Sequence, residues 1–189
     1  MIPKILTEAI IQDRLNISNY IIHIDNAKVC EIGIRFGGHF NSILTENVKI
    51  AVAVDPWRLF ESQDCDPEAP YTQNDLDKQH DDFKTRYAGD ERVIVERTTS
   101  LDAAKHYENE YFDFIYIDGN HKYQHCKNDL DAWWSKVKKG GVLAGHDYIN
   151  VRDFGVIQAV EEFKKENNIS LDNFFVNYEQ YASYYIFKE

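Results

Sequence analysis

The chain has 189 residues, enough for one domain that buries about two-thirds of its unfolded surface, and a hydrophobic fraction of 43% is ample for a core. Acidic side chains outnumber basic ones, 32 to 21, for a formal charge of −11. That balance argues against nucleic acid or an anionic membrane as partner, because either would need a cationic surface. The three cysteines, Cys30, Cys65 and Cys126, show no C-x-x-C spacing and so imply neither a disulfide framework nor a zinc cluster. The stretch Met1–Glu8 soon meets charges and no run is long enough to span a bilayer, so a reducing cytoplasm is the expected location.

In chain order, apolar runs alternate with helical periodicities, which predicts a single α/β domain over residues 1–189 with helices on both faces of a parallel sheet. A first helix is expected over Ile5–Tyr20 and a first strand over Lys28–Ile32. A glycine turn then opens a helix reaching about Thr45, and a second strand covers Ile50–Val54. Residues 61–71 are acidic and aperiodic and read as a loop before a polar helix at Thr72–Tyr87. A third strand follows at Val93–Glu96, then a helix over Leu101–Tyr111 introduced by Thr98, Thr99 and Ser100. The fourth strand is Phe112–Ile117. The next helix carries Cys126, Leu130, Trp133 or Trp134 and Val137 on one face and ends at Lys139–Gly140–Gly141, so that Lys136, Lys138 and Lys139 would favour its macrodipole. A fifth strand covers Gly141–Gly145, and Val156, Ala159, Val160 and Phe163 mark one face of the last helix. The runs Asn173–Tyr178 and Tyr181–Lys188 are too close together for a crossover and must pair as an antiparallel hairpin.

The glycine turn carries the first functional signal. It reads Glu31-Ile32-Gly33-Ile34-Arg35-Phe36-Gly37-Gly38, not the G-x-G-x-x-G of a dinucleotide site, and Arg35 stands where a second glycine would let backbone approach a pyrophosphate. The expected ligand is therefore a nucleoside without a phosphate tail, such as S-adenosylmethionine. Asp55 ends the second strand about twenty residues after the turn, the spacing of a ribose ligand. A helix-capping role before Pro56 is the structural alternative.

With Asp55-Pro56-Trp57, Phe112 to His121 through Asp118-Gly119-Asn120, and Val137 to Asp147 added in order, nearly the whole chain resembles the class I S-adenosylmethionine-dependent methyltransferases. Within them it is most similar to the small-molecule O-methyltransferase branch that includes macrolide-sugar O-methyltransferases and cephalosporin-hydroxylase-like proteins. The resemblance implies a Rossmann-like doubly wound sheet of seven strands, mostly parallel with a C-terminal antiparallel hairpin. It also implies a magnesium ion beside the donor. Carried over by motif, Glu31, Gly33 and Gly37 would line the donor pocket, Asp55 would take the ribose, Trp57 or Ser100 would border adenine, and Asp118 and Asp147 would hold the metal. Asn120 and His146 stand where relatives often carry acids.

Strand-terminal Asp118 and Asp147 would be neighbours if the fourth and fifth strands are adjacent, and two such carboxylates need a cation or proton between them. Magnesium suits oxygen ligands, whereas Lys122, His121 or the Tyr148 hydroxyl could neutralise the pair instead. His121 is a candidate proton acceptor with Asp118, and His146 a third metal ligand or alternative base. His39 opens a helix and could face the donor's carboxylate or the surface. His23, His80, His106 and His125 form no pattern. Tyr178, Tyr181, Tyr184 and Tyr185 could include contacts to the acceptor, but alternation in the hairpin explains them more simply, and exposed aromatics there would permit a homodimer.

The leading reading is a small-molecule O-methyltransferase acting on a sugar, phenol or related hydroxyl; the alternative is a non-catalytic S-adenosylmethionine-binding module. A metallophosphoesterase lacks its D-x-H and G-D-x-x-D segments here, and a nicotinamide dehydrogenase lacks both its glycine spacing and a second domain.

Overall fold

The computed structural model of the protein describes residues 4–10, 13–60, 71–151 and 153–189. Seven strands form one sheet: β1 (Ala27–Ile32), β2 (Val48–Val54), β3 (Val93–Glu96), β4 (Phe112–Ile117), β5 (Val137–Gly145), β6 (Phe174–Val176) and β7 (Tyr184–Phe187). Their order is β3-β2-β1-β4-β5-β7-β6. The pairs from β3 through β5 are parallel, and β7 enters antiparallel between β5 and β6. This is the doubly wound Rossmann-like sheet with a terminal hairpin.

Strand alternation divides the core in two. Val29, Ala51, Ala53, Phe114, Tyr116, Ala144 and Tyr185 face the amino-terminal helices α1 (Lys4–Ile10), α2 (Ser18–Ile21) and α3 (Phe40–Ile43), and α4 (Gln73–Arg86) adds Phe83. Cys30, Val52, Val54, Ile115, Leu143 and Ile186 face the other way, against α6 (Tyr123–Trp134) and α7 (Val156–Glu166). The α7 stripe Val156, Ala159, Val160 and Phe163 is buried as its periodicity requires. Cys30 and Cys126 are buried free thiols; Cys65 lies outside the described residues. Tyr184 and Tyr185 sit in opposite halves of the core, and Tyr178 and Tyr181 are exposed.

Several expected helices are shorter than their periodicity implied. The stretch expected as one helix to Tyr20 is interrupted at Asp13, which adopts extended backbone and accepts from the Leu15 N–H, opening a 3-10 turn at Arg14–Ile17 before α2. Aspartate competes for backbone donors and so starts helices better than it continues them. The helix after the glycine turn is only Phe40–Ile43. That after β3 is α5 (Ser100–Ala103), extended by a 3-10 turn at Ala104–His106. Tyr107 ends it in extended backbone, its ring against Phe112 and its hydroxyl donating to Glu96 at 3.0 Å. By contrast, α4 matches expectation, with Thr72 and Asp75 forming a capping box.

The largest correction concerns Lys136–Lys139. α6 stops at Trp134, and the lysines run into β5, where Val137 pairs with Phe112 and Lys138 Nζ lies 2.8 Å from both carboxylate oxygens of Asp113. The lysines therefore serve no helix dipole. Backbone pairing decides the matter: the Tyr111 and Phe112 N–H groups both donate to the Lys136 carbonyl at 2.9 Å, bonds unavailable to a continued helix. The expected loop at residues 61–71 falls outside the described residues except for Tyr71, and no described helix is long and apolar enough to cross a membrane.

Gly33 is the tightest point of the sheet. Its φ is +85°, and a Cβ there would lie 1.9 Å from the Asp118 carbonyl oxygen. Gly89, in open space, makes the control. Gly33→Ala is expected to lose at least ~2 kcal/mol, from left-handed backbone strain plus forced separation of β1 from β4, and Gly89→Ala to change stability by less than ~0.5 kcal/mol. Urea unfolding of the two variants checks this; equal effects would contradict it.

Candidate functional site

Just past the strands, four backbone hydrogen bonds continue the ladder across the carboxyl edge. Asp55 donates to Glu96 O, Gly33 to Val54 O, Asp118 to Ile32 O and His146 to Ile117 O, at 3.2, 2.8, 2.7 and 3.0 Å. Gly33, Asp55, Asp118 and the His146–Asp147 pair are thereby brought to one rim.

Beside this rim opens a cavity of about 270 Å³, just under the range of about 300–1,000 Å³ for ligand pockets. Ile32, Val54, Pro56, Phe60 and Leu101 supply apolar walls, and Gly33 and Gly119 let backbone come close. Ser100 lines it with Thr99, as do Asn120, His125, Asn128 and Asp129. Of the residues expected around a donor, Gly33 and Ser100 are thus on the cavity.

Others stand behind it. Trp57 is buried against Phe83 and His80, so Pro56 and Phe60 rather than Trp57 form that wall. Gly37 has a positive φ and a Cβ there would strike the Phe83 ring. Asp55 Oδ2 accepts from the Ile34 and Arg35 N–H groups, both at 2.9 Å, and Oδ1 from the Trp57 N–H at 2.7 Å. It locks the turn after β1 to the turn after β2. Burial pushes its carboxyl up, and these backbone donors pull it back. A carboxylate offers about four lone-pair sites, so one remains after those three bonds. The Arg35 side chain turns outward to the Tyr71 hydroxyl, but no second glycine opens the turn.

Glu31 lies beneath the rim, 2% exposed, with Oε2 2.9 Å from His39 Nδ1. Burial raises its carboxyl and His39 lowers it. The His39 ring stacks on Tyr116 with centroids 3.8 Å apart, and its Nε2 is buried without a partner among the described residues. His39 is therefore an interior group and not a surface one.

On the other flank, one ligand atom each from Asp118, His121 and Asp147 lie within 4.8 Å of one another. His121 Nε2 is 2.8 Å from Asp147 Oδ2 and 3.5 Å from Asp118 Oδ1. His146 Nδ1 is 2.9 Å from Asp147 Oδ2 and 3.7 Å from Asp118 Oδ1. Burial would raise both carboxyls, but the two imidazoles hold them below the usual carboxylate range, Asp147 most strongly. Asp147 also keeps left-handed backbone, φ +55°, the kind of strain that persists where surrounding structure over-determines a position. Two carboxylates and an imidazole this close suit a divalent cation. The apolar walls of the cavity likewise suit a flat, uncharged ring.

Asp129 is the site residue that motif reading missed. It sits on the buried face of α6 with Cys126, Leu130 and Trp133 and is 6% exposed. A carboxylate three residues after Cys126 on an otherwise apolar face was the available signal. His125, set aside as background, also reaches the cavity. Burial pushes the Asp129 carboxyl up to about 6, the Ser100 hydroxyl offsetting part of the effect.

That shift fixes a sign. The folded protein holds the Asp129 proton more tightly than the unfolded chain between about pH 4 and 6, so stability falls as pH rises through that window, by ~3 kcal/mol in total. Asp129→Asn is expected to melt about 5–10 °C higher than wild type at pH 7.5, the gap closing toward pH 4. Thermal unfolding across this range is the check, and a variant less stable than wild type at pH 7.5 would contradict it.

Comparison with known proteins bears on what the site serves. A search of curated protein sequences finds no match. Among solved structures the fold is shared with an S-adenosylmethionine-dependent O-methyltransferase from Thermotoga maritima (13% identity, TM-score 0.59, 93% of this chain and 64% of that one). It is shared also with a spermidine synthase from the same organism (14%, 0.56, 98% and 60%) and a precorrin 8w decarboxylase from Methanobacterium thermoautotrophicum (13%, 0.59, 92% and 88%). The chain thus spans under two-thirds of the first two, and at these identities the likeness is one of fold. The model of a family described as "Methyltransferase domain" matches residues 30–148, from β1 through the rim at Asp147. The chain belongs to that family, the class I S-adenosylmethionine-dependent methyltransferases.

Proposed function

We propose that the protein transfers the methyl group of S-adenosylmethionine to a hydroxyl of a small molecule, a sugar, phenol or related metabolite, with a divalent cation at Asp118 and Asp147. The observation that carries this reading is the convergence of Asp118, His121 and Asp147 within 4.8 Å beside the cavity. A sulfonium methyl is already activated, so the protein must mainly align the acceptor and remove its proton. A bound cation would supply charge stabilisation for the acceptor oxygen. Magnesium suits the two carboxylates, and the imidazole would also suit zinc, iron or nickel.

The distances favour exchanging the roles first expected of the two histidines. His121 Nε2 is the nitrogen nearest both carboxylates, which suits a ligand. His146 has its Nδ1 held by Asp147 and its Nε2 buried with no partner among the described residues, the arrangement of an imidazole oriented by a carboxylate and able to take a proton. In this reading His146 receives the hydroxyl proton at Nε2. An acidic protein of this kind would meet its acceptor in the cytoplasm and needs neither nucleic acid nor membrane.

Asp118→Asn and Asp147→Asn are expected to abolish turnover while S-adenosylhomocysteine affinity stays within a few-fold. His146→Gln should lower kcat by about 10²–10⁴-fold and His121→Ala should weaken cation binding. Methyl transfer to a panel of hydroxyl acceptors, with and without chelator, together with calorimetry for donor product and cation, checks these outcomes. Full activity of both aspartate variants in chelator would remove the cation, and donor binding with no transfer to any acceptor would favour the non-catalytic module.

A further inference from the structure

We propose that the methyl acceptor is a hydroxy acid and that Arg14 binds its carboxylate, on the face of the sheet opposite the apolar cavity. The inference rests on the hydroxyl-transfer reading above and names the class of acceptor. The 3-10 turn at Arg14–Ile17 and the chain between β6 and β7 meet on that face, where Arg14 Nη1 lies 3.4 Å from Glu179 Oε1. Ile32 and Val54, which wall the cavity, belong to one half of the core, whereas Tyr116 and Tyr185, which neighbour Arg14, belong to the other. Tyr116 stands two residues before Asp118, roughly 7 Å along extended chain. Asp118 is itself within electrostatic reach of the guanidinium. One small molecule can therefore span from Arg14 to the charged cluster at the rim.

The guanidinium has donors to spare. Its five N–H groups form a fork that matches a carboxylate. Among the described residues it meets only Glu179, at a distance longer than the about 2.7–2.9 Å usual for a charge-assisted bond. Arg14 Nε is buried without a partner among the described residues, as is the Tyr185 hydroxyl. Burying such donors unmatched is costly, and a bound oxygen anion would relieve it. Burial opposes the charge of Arg14, while Tyr116, Glu179, Asp118 and Tyr185 around it favour that charge and keep it. The acids nearby have donors of their own. Glu179 Oε2 accepts from Asn177 Nδ2 at 2.6 Å, and Glu31 meets His39 at 2.9 Å. Asp118 has His121 and His146, and Asp13 accepts from the Leu15 N–H. Arg14 is thus a cation whose neighbours are matched elsewhere, and its side chain, 27% exposed, stays open to a ligand. One guanidinium can match the single charge of a carboxylate, whereas a phosphate dianion would be left facing Glu179 and Asp118.

The test is methyl transfer by the full chain to hydroxy acids, each beside its own carboxamide: protocatechuate for phenols and glucuronate for sugars. Wild type is expected to favour the acid over the amide by roughly 10- to 100-fold in kcat/KM. Arg14→Met should bring each pair within about threefold, Arg14→Lys should keep part of the preference, and both should bind S-adenosylhomocysteine within about threefold of wild type by calorimetry. A wild-type preference under threefold, or transfer to the carboxamides alone, would overturn the inference without recourse to any variant and leave hydroxyl transfer standing. So would an Arg14→Met protein that keeps the wild-type preference. If that variant instead loses S-adenosylhomocysteine by tenfold or more at an unchanged preference, the guanidinium serves the donor's carboxylate and the inference falls. Donor binding with transfer to neither acid nor amide would overturn the hydroxyl-transfer reading, and the inference with it.

Discussion

The close approach of Gly33 to the backbone of Asp118 is the contact on which the site depends. A parallel sheet delivers its strand ends to a common edge only if adjacent strands stay in register to the last residue. Here the ladder runs one step beyond the strands, through hydrogen bonds from Gly33 to Val54, Asp118 to Ile32 and His146 to Ile117. No side chain fits at Gly33, where a Cβ would sit inside the Asp118 carbonyl. One glycine thus sets the spacing between the cavity under β1 and β2 and the carboxylate pair on β4 and β5. The cavity and the carboxylate cluster are neighbours because the strands are.

Around this rim the protein buries charge that its core would be more stable without. Glu31 is matched by His39, Asp55 by three backbone N–H groups, and Asp118 and Asp147 by two imidazoles. Each carboxylate has donors close enough to offset part of its desolvation. Among the described residues Asp129 is met only by the Ser100 hydroxyl, and its proton is correspondingly hard to remove. This contrast separates carboxylates met by an imidazole or by several backbone donors from one met by a single hydroxyl. It also fits the tendency of strongly perturbed groups to cluster where ligands bind.

Much of this was legible in the residues. β3 and β4 fall where their apolar runs begin and end, because strands bounded by acids and turn formers on both sides leave little freedom. The rim residues Asp55, Asp118 and Asp147 could be found as acids that terminate such runs. Helix lengths were harder. Periodicity continues through Asp13 and Tyr107, and only tertiary contacts show that these residues start or stop an element. Lys136–Lys139 misled for the same reason: long-range pairing of Val137 with Phe112 overrides a helical pattern that looks unbroken locally. Asp129 escaped because no strand-end or motif marks it; its place on the cavity is visible only once α6 is laid against the sheet.

Amide hydrogen exchange with and without S-adenosylhomocysteine is the sharpest test of whether the rim between β1 and β4 holds the donor. Slowed exchange is expected in residues 32–35, 54–57, 98–101 and 118–120, the segments that build the cavity and its rim. Protection confined instead to the hollow of about 470 Å³ around Tyr87–Glu91, or no protection at saturating ligand, would contradict it.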